Sequence, residues 1–258
     1  MNNNPTALIT GGSSGIGLGI AHEFAAAGYN LVLNGLEENG DEIAAEVGEK
    51  YGVKALFSNA NLLDPAKIKG LAVFAEENFG TVEVVVNNAG VQYVAPIDEF
   101  PQKRWEMILG LNLSAAFYLV QALWPGMKKN NFGRIINIAS AHGLRASAFK
   151  AAYVSAKHGI VGLTKVMALE GAEFNITANA ICPGYVLTPL VESQIADQAK
   201  SHNMTEEEVI EKVMLKKHAK KEFVTVEALG QMAVFLASEH ASTFTGTAIP
   251  IDGGWTAQ

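Results

Sequence analysis

The chain has 258 residues, 49% of them apolar, a net charge of −7 and one cysteine. That length suits a single α/β domain with a large core, and an acidic balance without a basic block excludes a nucleic-acid footprint. The lone Cys182 closes no internal disulfide, Met1-Asn2-Asn3-Asn4-Pro5 has no signal-peptide character, and no apolar run reads as a membrane span, so a cytoplasmic protein without membrane attachment is expected.

Short apolar runs alternate with longer helical stretches along the whole chain. Strands are predicted at 6–10, 30–34, 54–58, 82–86, 134–139, 177–181 and 247–251, and helices at 16–27, 37–51, 65–79, 103–127, 152–174 and 226–238. Such alternation predicts parallel strands joined by right-handed helical crossovers. Runs such as Val82-Glu83-Val84-Val85-Val86 are mostly apolar rather than alternating, as strands covered on both faces are. Between Thr188 and Lys221 the rhythm breaks into a Glu-, Lys- and Gln-rich stretch without a strand. It follows a strand end where ligands of open α/β sheets bind, which predicts a helical lid over about 188–221 in one domain spanning 1–258. Cys182, between Ala180-Ile181 and Pro183-Gly184, reads as a buried strand-end thiol.

The first strand runs into Thr10-Gly11-Gly12-Ser13-Ser14-Gly15-Ile16-Gly17. This spacing departs from G-x-G-x-x-G, but its place between first strand and first helix would aim a helix N-terminus at a pyrophosphate. The second strand ends in Leu33-Asn34-Gly35-Leu36-Glu37-Glu38, with no Lys or Arg. A 2′-phosphate needs a basic partner, and Glu37 or Glu38 would repel it, so NAD is expected over NADP. Gly35 stands where an acid for the adenosine ribose is often found, leaving backbone groups or Asn34 to bind that ribose. Asn87-Asn88-Ala89-Gly90 ends the fourth strand beside this cofactor. Asn112 lies inside an apolar helix, where Asn is intrinsically unfavourable; it reads equally as the satisfier of a kinked backbone and as a catalytic group.

Ser140 closes the fifth strand, thirteen residues before Tyr153-x-x-x-Lys157. A phenol and an ammonium four apart share a helix face. A fixed cation there favours the phenolate and is expected to bring the phenol's pKa toward neutrality. Taken together, these features predict redox chemistry on a dinucleotide.

Thr10-Gly11-x-x-x-Gly15-x-Gly17, Asn87-Asn88-Ala89-Gly90, Asn112, Ser140, Tyr153-x-x-x-Lys157 and Pro183-Gly184 together resemble the short-chain dehydrogenase/reductase family over essentially the whole chain. The resemblance implies a Rossmann-type, doubly wound, seven-stranded parallel sheet with helices on both faces, and a homotetramer. It implies Tyr153 as general acid/base, Lys157 as the group that lowers its pKa and binds the nicotinamide ribose, Ser140 as the residue polarising the carbonyl oxygen, and Asn112 as holder of a relay water. It implies an NAD site of Gly11, Ser13, Gly15, Ile16, Gly17, Leu36, Asn61, Leu62, Asn88, Ala89, Gly90, Tyr153, Lys157, Pro183, Gly184, Val186 and Thr188. No metal site is implied.

Within the family, Val91-Gln92, the run from Gly133 to Leu144, Lys150 and Asp252-Gly253-Gly254-Trp255 resemble the branch that interconverts (R)-3-hydroxybutyrate and acetoacetate. That resemblance assigns Gln92, His142, Lys150 and Gln194 to the substrate carboxylate, beside Ser140 and Tyr153. Tyr185 stands where a Trp is expected, which keeps an aromatic wall but changes its shape. A reductase of 3-oxoacyl thioesters is the alternative, but a thioester leaves Lys150, His142 and Gln92 without a carboxylate to bind. A non-catalytic dinucleotide sensor would not need Tyr153, Lys157, Ser140 and Asn112 together. The C-terminal Asp252-Gly253-Gly254-Trp255 segment and the two long apolar helices are expected at subunit contacts.

Overall fold

The computed structural model describes residues 4–188, 191–192, 195, 199 and 203–257. Seven strands form one parallel sheet in the order β3-β2-β1-β4-β5-β6-β7. They are β1 (Thr6–Thr10), β2 (Asn30–Asn34), β3 (Ala55–Ser58), β4 (Val84–Asn87), β5 (Gly133–Ile138), β6 (Ile176–Pro183) and β7 (Ala248–Ile251). The order reverses between β1 and β4, and a crevice opens beyond the strand ends at such a reversal.

Helices α1 (Gly15–Ala26), α2 (Gly40–Tyr51), α3 (Pro65–Phe79), α4 (Gln102–Leu109), α5 (Ala115–Asn130), α6 (Ala151–Gly171), the short α7 (Glu206–Val209) and α8 (Val226–Ala237) complete the described elements. Because side chains alternate across a strand, neighbouring residues feed different layers. Ile9, Leu33, Val86 and Ile136 pack with Ile20 and Phe24 of α1 and Leu229 of α8. Leu8, Val32, Val85 and Ile135 pack with Leu71 of α3, Leu119 of α5 and Met167 of α6. The apolar strand runs are thus explained by burial on both faces.

Several boundaries differ from the sequence reading, each for a local reason. Helix α2 starts at Gly40, not at 37, because Glu37 folds back onto the glycine-rich turn, where its carboxylate accepts hydrogen bonds from Ser13, Ser14 and the Leu36 N–H. Strand β4 runs one residue further, since Asn87 pairs with Asn137 in register. Strand β6 is longer at both ends because it pairs with β5 along one edge and β7 along the other. The helix expected at 103–127 is broken by a π-turn at Gly110–Ser114. Counted as one body, Gln102–Asn130 is long and apolar enough to cross a membrane, contrary to the sequence reading. Here α5 packs its apolar face on the sheet beside α3.

The stretch after β6 begins beside a parallel bridge between Val186 and Val224. Within it, Thr205 caps α7 in a capping box with Glu208, and the chain continues into a π-turn at Ile210–Met214. Val209 and Met214 bury with Ile195, against Tyr185 and Phe223.

Candidate active site

A cleft of about 860 Å³ lies at the C-terminal ends of the central strands. One half of the site, the glycine turn that meets this cleft at Ile16 and Asn88, is made of backbone. Gly11 and Gly15 hold φ values of +59° and +50°, the left-handed region that favours glycine. A Cβ on Gly17 would lie 1.9 Å from the Gly11 carbonyl oxygen, so α1 and the turn touch backbone to backbone. The segment after β4 locks this turn. Asn88 Nδ2 donates to the carbonyls of Thr10 and Gly11 at 3.0 and 3.1 Å, while Thr10 Oγ1 accepts the Asn88 and Ala89 N–H groups. The result is an open nest of N–H groups at a helix N-terminus, a fit for a pyrophosphate.

Glu37 closes the outer edge of this half. A Cβ on Gly35 would collide with Ser13 Oγ and with the Glu37 carboxylate, so glycine there is what lets Glu37 reach the turn. Burial works to raise the Glu37 pKa, but the hydrogen bonds from Ser13, Ser14 and the backbone outweigh it and leave a lowered value. Asn34 is not available for a ribose: it is buried, and its Nδ2 donates to Ser58 and Ala60 carbonyls, both at 2.9 Å. Leu36 is 72% exposed at the rim. Asn61 is turned to the Leu63 N–H, and the Leu62 side chain is buried behind the cleft rather than in it.

Tyr153 and Lys157 stand on the first turns of α6, with Lys157 Nζ 5.6 Å from the centre of the Tyr153 ring. Lys157 is buried and donates to the Ile138 carbonyl at 2.7 Å, and burial brings its pKa down to about 8. Tyr153 is hydrogen-bonded to Ser140, but its pKa is raised, because burial outweighs that bond. This corrects the expectation of a phenol already near neutrality: in this site desolvation is the larger effect on both groups.

Asn112 sits in the π-turn, with Oδ1 accepting the Val91 N–H and Nδ2 donating to the Val91 carbonyl, each at 2.9 Å. Its amide therefore pins the segment after β4 that carries Gln92. Both sequence readings of Asn112 keep support: the backbone is irregular there, and Asn112 and Lys157 line one cavity of about 10 Å³. That is near the room one water needs.

The other half of the site, the cleft itself, is lined by the side chains of Gln92, His142, Lys150, Tyr185 and Trp255, with Val191 and Met214 from beyond β6. Burial, then the Lys217 charge, lowers the Lys150 pKa. His142 is pushed down to about 4 by burial first and the lysine fields second, so its ring is neutral at ordinary pH. Its two nitrogens face Ser140 and Ser147. Phe149, just before Lys150, takes a φ of +67°, and the Ala95 N–H holds its carbonyl at 2.9 Å. Gln194 lies outside the described residues.

One residue of this half, Trp255, and one behind it, Lys217, were missed by sequence reasoning. Trp255, expected at a subunit contact, has its ring stacked on Tyr185 at 8° and edge-on to His142 at 5.0 Å within the chain. Asp252 builds the turn that delivers it, accepting the Gly254 and Thr256 N–H groups. Lys217 lies over the same indole at 5.3 Å. Trp255 sits in a motif legible in the sequence; Lys217 is one of many lysines in its stretch and carries no such signal.

Comparison with known proteins matches this geometry. Residues 5–199 fit the family model described as short chain dehydrogenase. The chain is 52% identical to the D-beta-hydroxybutyrate dehydrogenase of Rhizobium meliloti, over 98% of this chain and 99% of the relative. It is 47% identical to the D-beta-hydroxybutyrate dehydrogenase of Cupriavidus necator, over 100% of both. Among solved structures, L-sorbose reductase from Gluconobacter frateurii, complexed with NADPH and L-sorbose, superposes with a TM-score of 0.94 at 30% identity over 100% of both chains. With a Tyr153–Lys157–Ser140 cluster at the strand ends of a parallel sheet and a glycine turn shaped for a dinucleotide, this chain belongs to the short-chain dehydrogenase family.

Proposed function

We propose that this protein is an NAD-dependent dehydrogenase that oxidises (R)-3-hydroxybutyrate to acetoacetate and runs the reverse reaction. The observation that carries this reading is the convergence of Lys150, Gln92 and the Tyr153–Ser140 pair in one cleft. The two full-length relatives named D-beta-hydroxybutyrate dehydrogenase support it.

The dinucleotide, when bound on the glycine turn, supplies the acceptor for the hydrogen leaving carbon three. The chain's own residues do the rest. Lys150 and Gln92 bind the carboxylate, with Gln194 completing the set. Tyr153 and Ser140 hold the hydroxyl oxygen at the other end of the substrate. Tyr153, as phenolate, takes the hydroxyl proton as the carbonyl forms, and Ser140 donates to the oxygen on which charge changes. Lys157 supplies the positive charge that makes a buried phenolate tolerable. A water in the small cavity between Lys157 and Asn112 carries the proton onward. Trp255 and Tyr185 form the apolar wall for the methyl group. With both ends anchored, only one enantiomer points the single hydrogen of carbon three at the acceptor.

Glu37 makes NAD the preferred cofactor. Its carboxylate occupies the edge where a 2′-phosphate would sit, and it takes the role of the acid missing at Gly35. The segment 188–221 acts as the lid, and the whole chain forms one catalytic domain. The reading includes a homotetramer: Trp105, Phe117 and Tyr118 are 38%, 42% and 37% exposed on the helices before and after the π-turn, and Leu169 of α6 is 80% exposed. A cytoplasmic location belongs to the same reading.

The test is NADH formation from a panel of both enantiomers of several short 3-hydroxy acids, with NADP alongside. Turnover with (R)-3-hydroxybutyrate and NAD should exceed every other combination. Preference for a thioester of the 3-oxo acid would overturn the assignment. Sedimentation at micromolar concentration should show a tetramer.

A further inference from the structure

Beyond the groups assigned above, hydrogen bonds lead from the stretch after β6 to Ser140. Lys217 Nζ lies 3.3 Å from Ser147 Oγ. Ser147 Oγ lies 3.1 Å from His142 Nε2. On the other side of the ring, His142 Nδ1 lies 3.4 Å from Ser140 Oγ, which also accepts the His142 backbone N–H at 3.1 Å. Neither Ser147 nor Lys217 lines the cleft.

The chemistry of these groups gives the chain a direction. An ammonium can only donate. Placed at the Ser147 oxygen, it turns the hydroxyl hydrogen away from itself, and His142 Nε2 is the acceptor on the far side. A neutral imidazole that accepts at Nε2 carries its hydrogen on Nδ1. That hydrogen points at Ser140 Oγ, which then receives two N–H groups. Its own hydrogen is left to point to Tyr153 and the cleft. In the opposite tautomer, Nδ1 would accept the Ser140 hydrogen and draw it away from the reacting oxygen.

We propose that Ser147 and Lys217 are positioning residues: they hold His142 as the Nδ1–H tautomer, so that Ser140 presents its hydroxyl hydrogen to the reacting oxygen. The low pKa of His142, set first by burial, keeps the ring neutral and so able to relay this direction. Both ring nitrogens are then engaged, so His142 acts on Ser140, and the carboxylate is left to Lys150, Gln92 and Gln194. Only the kinetic part rests on the proposed dehydrogenase reading; the tautomer is a property of the protein itself.

Histidine ¹⁵N correlation NMR on the full chain tests the tautomer, and steady-state kinetics tests its consequence. The wild-type His142 ring should report Nδ1–H. Ser147→Ala should admit the Nε2–H form and lower kcat about 5- to 10-fold, the loss of one ordinary hydrogen bond, with KM for (R)-3-hydroxybutyrate within about twofold. Ser147→Thr, which keeps the hydroxyl, should restore both readings. Lys217→Met should give a smaller loss that Lys217→Arg repairs. An Nε2–H ring in the wild type, or an unchanged ring in Ser147→Ala, overturns the proposal. So does a rise in KM at constant kcat, which would put Ser147 in the carboxylate site instead. If the wild type failed to turn over 3-hydroxybutyrate, the substrate reading would fall while the tautomer measurement still decided this one.

Discussion

The two halves of the site are built by different means. The cofactor half is backbone held against backbone: Gly17 touches Gly11, and Asn88 ties the segment after β4 to the turn. The substrate half is a set of side chains gathered from the end of β4, the loop after β5, the start of α6, the stretch after β6 and the C-terminus. A backbone nest needs a few contiguous residues and accepts one ligand shape. A side-chain clamp needs distant residues to meet, and any one of them can change without disturbing the sheet. The first half is therefore fixed by local sequence and the second by the fold.

The largest effect is expected where the halves meet. Tyr153→Phe keeps the ring and removes the proton carrier, so kcat should fall about 100- to 10,000-fold in a folded protein that still binds NAD. Near-normal turnover would refute the acid/base role. The pH profile of oxidation should rise with a limb belonging to the Tyr153–Lys157 pair. Lys157→Met removes the charge that favours the phenolate, so the limb should move to higher pH; a shift downward would contradict this electrostatic account.

Next comes the backbone half. Gly17→Ala places a methyl 1.9 Å from the Gly11 carbonyl oxygen, and that atom is backbone, which cannot swing aside. We expect NADH affinity, read by fluorescence titration, to drop at least about 100-fold, equal to about 2.7 kcal/mol. Unchanged affinity would mean the turn is not the cofactor cradle. The side-chain half should be more forgiving. Lys150→Ala should lower kcat/KM for (R)-3-hydroxybutyrate by about 10- to 150-fold, the worth of a hydrogen bond to a charged group, and leave poor neutral alcohols unaffected. Equal damage to neutral substrates would remove Lys150 from the clamp.

A smaller shift should follow from Glu37→Gln, which keeps an acceptor for Ser13 and Ser14 but removes the charge. The ratio of NADP to NAD efficiency should rise about tenfold, consistent with the loss of one partly screened repulsion. No change would assign NAD preference elsewhere. The smallest effect concerns stability. Burial holds the folded His142 pKa at about 4, below the ordinary histidine value of 6.5. The lowered histidine favours folding fully above pH 6.5, and that contribution is lost as pH falls toward 4. His142→Gln should flatten the decline of Tm across that window. A residual slope is expected from His22 and His218, whose pKa values are also lowered.

The legible parts of the site share one property: their places follow from neighbours in the chain. The glycine turn, Asn88, Ser140 at a strand end, and the Tyr153–Lys157 pair one helical turn apart were located by spacing, and the family resemblance they carry together implied their roles. Glu37 was half legible, since the charge was visible near the second strand, but that it folds back onto Ser13 and Ser14 was not. The assignment of Asn34 to the ribose failed because sheet register turns its amide into the neighbouring strand end. The place of Trp255 in the cleft was not legible, because β7 pairing with β6 is what brings the C-terminus to Tyr185.

By itself, the sequence determined the alternation of strands and helices, the doubly wound class and the chemistry-bearing motifs, because periodicity and turn chemistry act over a few residues. The tertiary structure alone decided which side chains converge and in what electrostatic setting. It put Lys217 and Ser147 behind His142, and it buried Tyr153 and Lys157 deeply enough for desolvation to dominate both. Burial and convergence are sums over contacts far apart in the chain, and no local pattern records them.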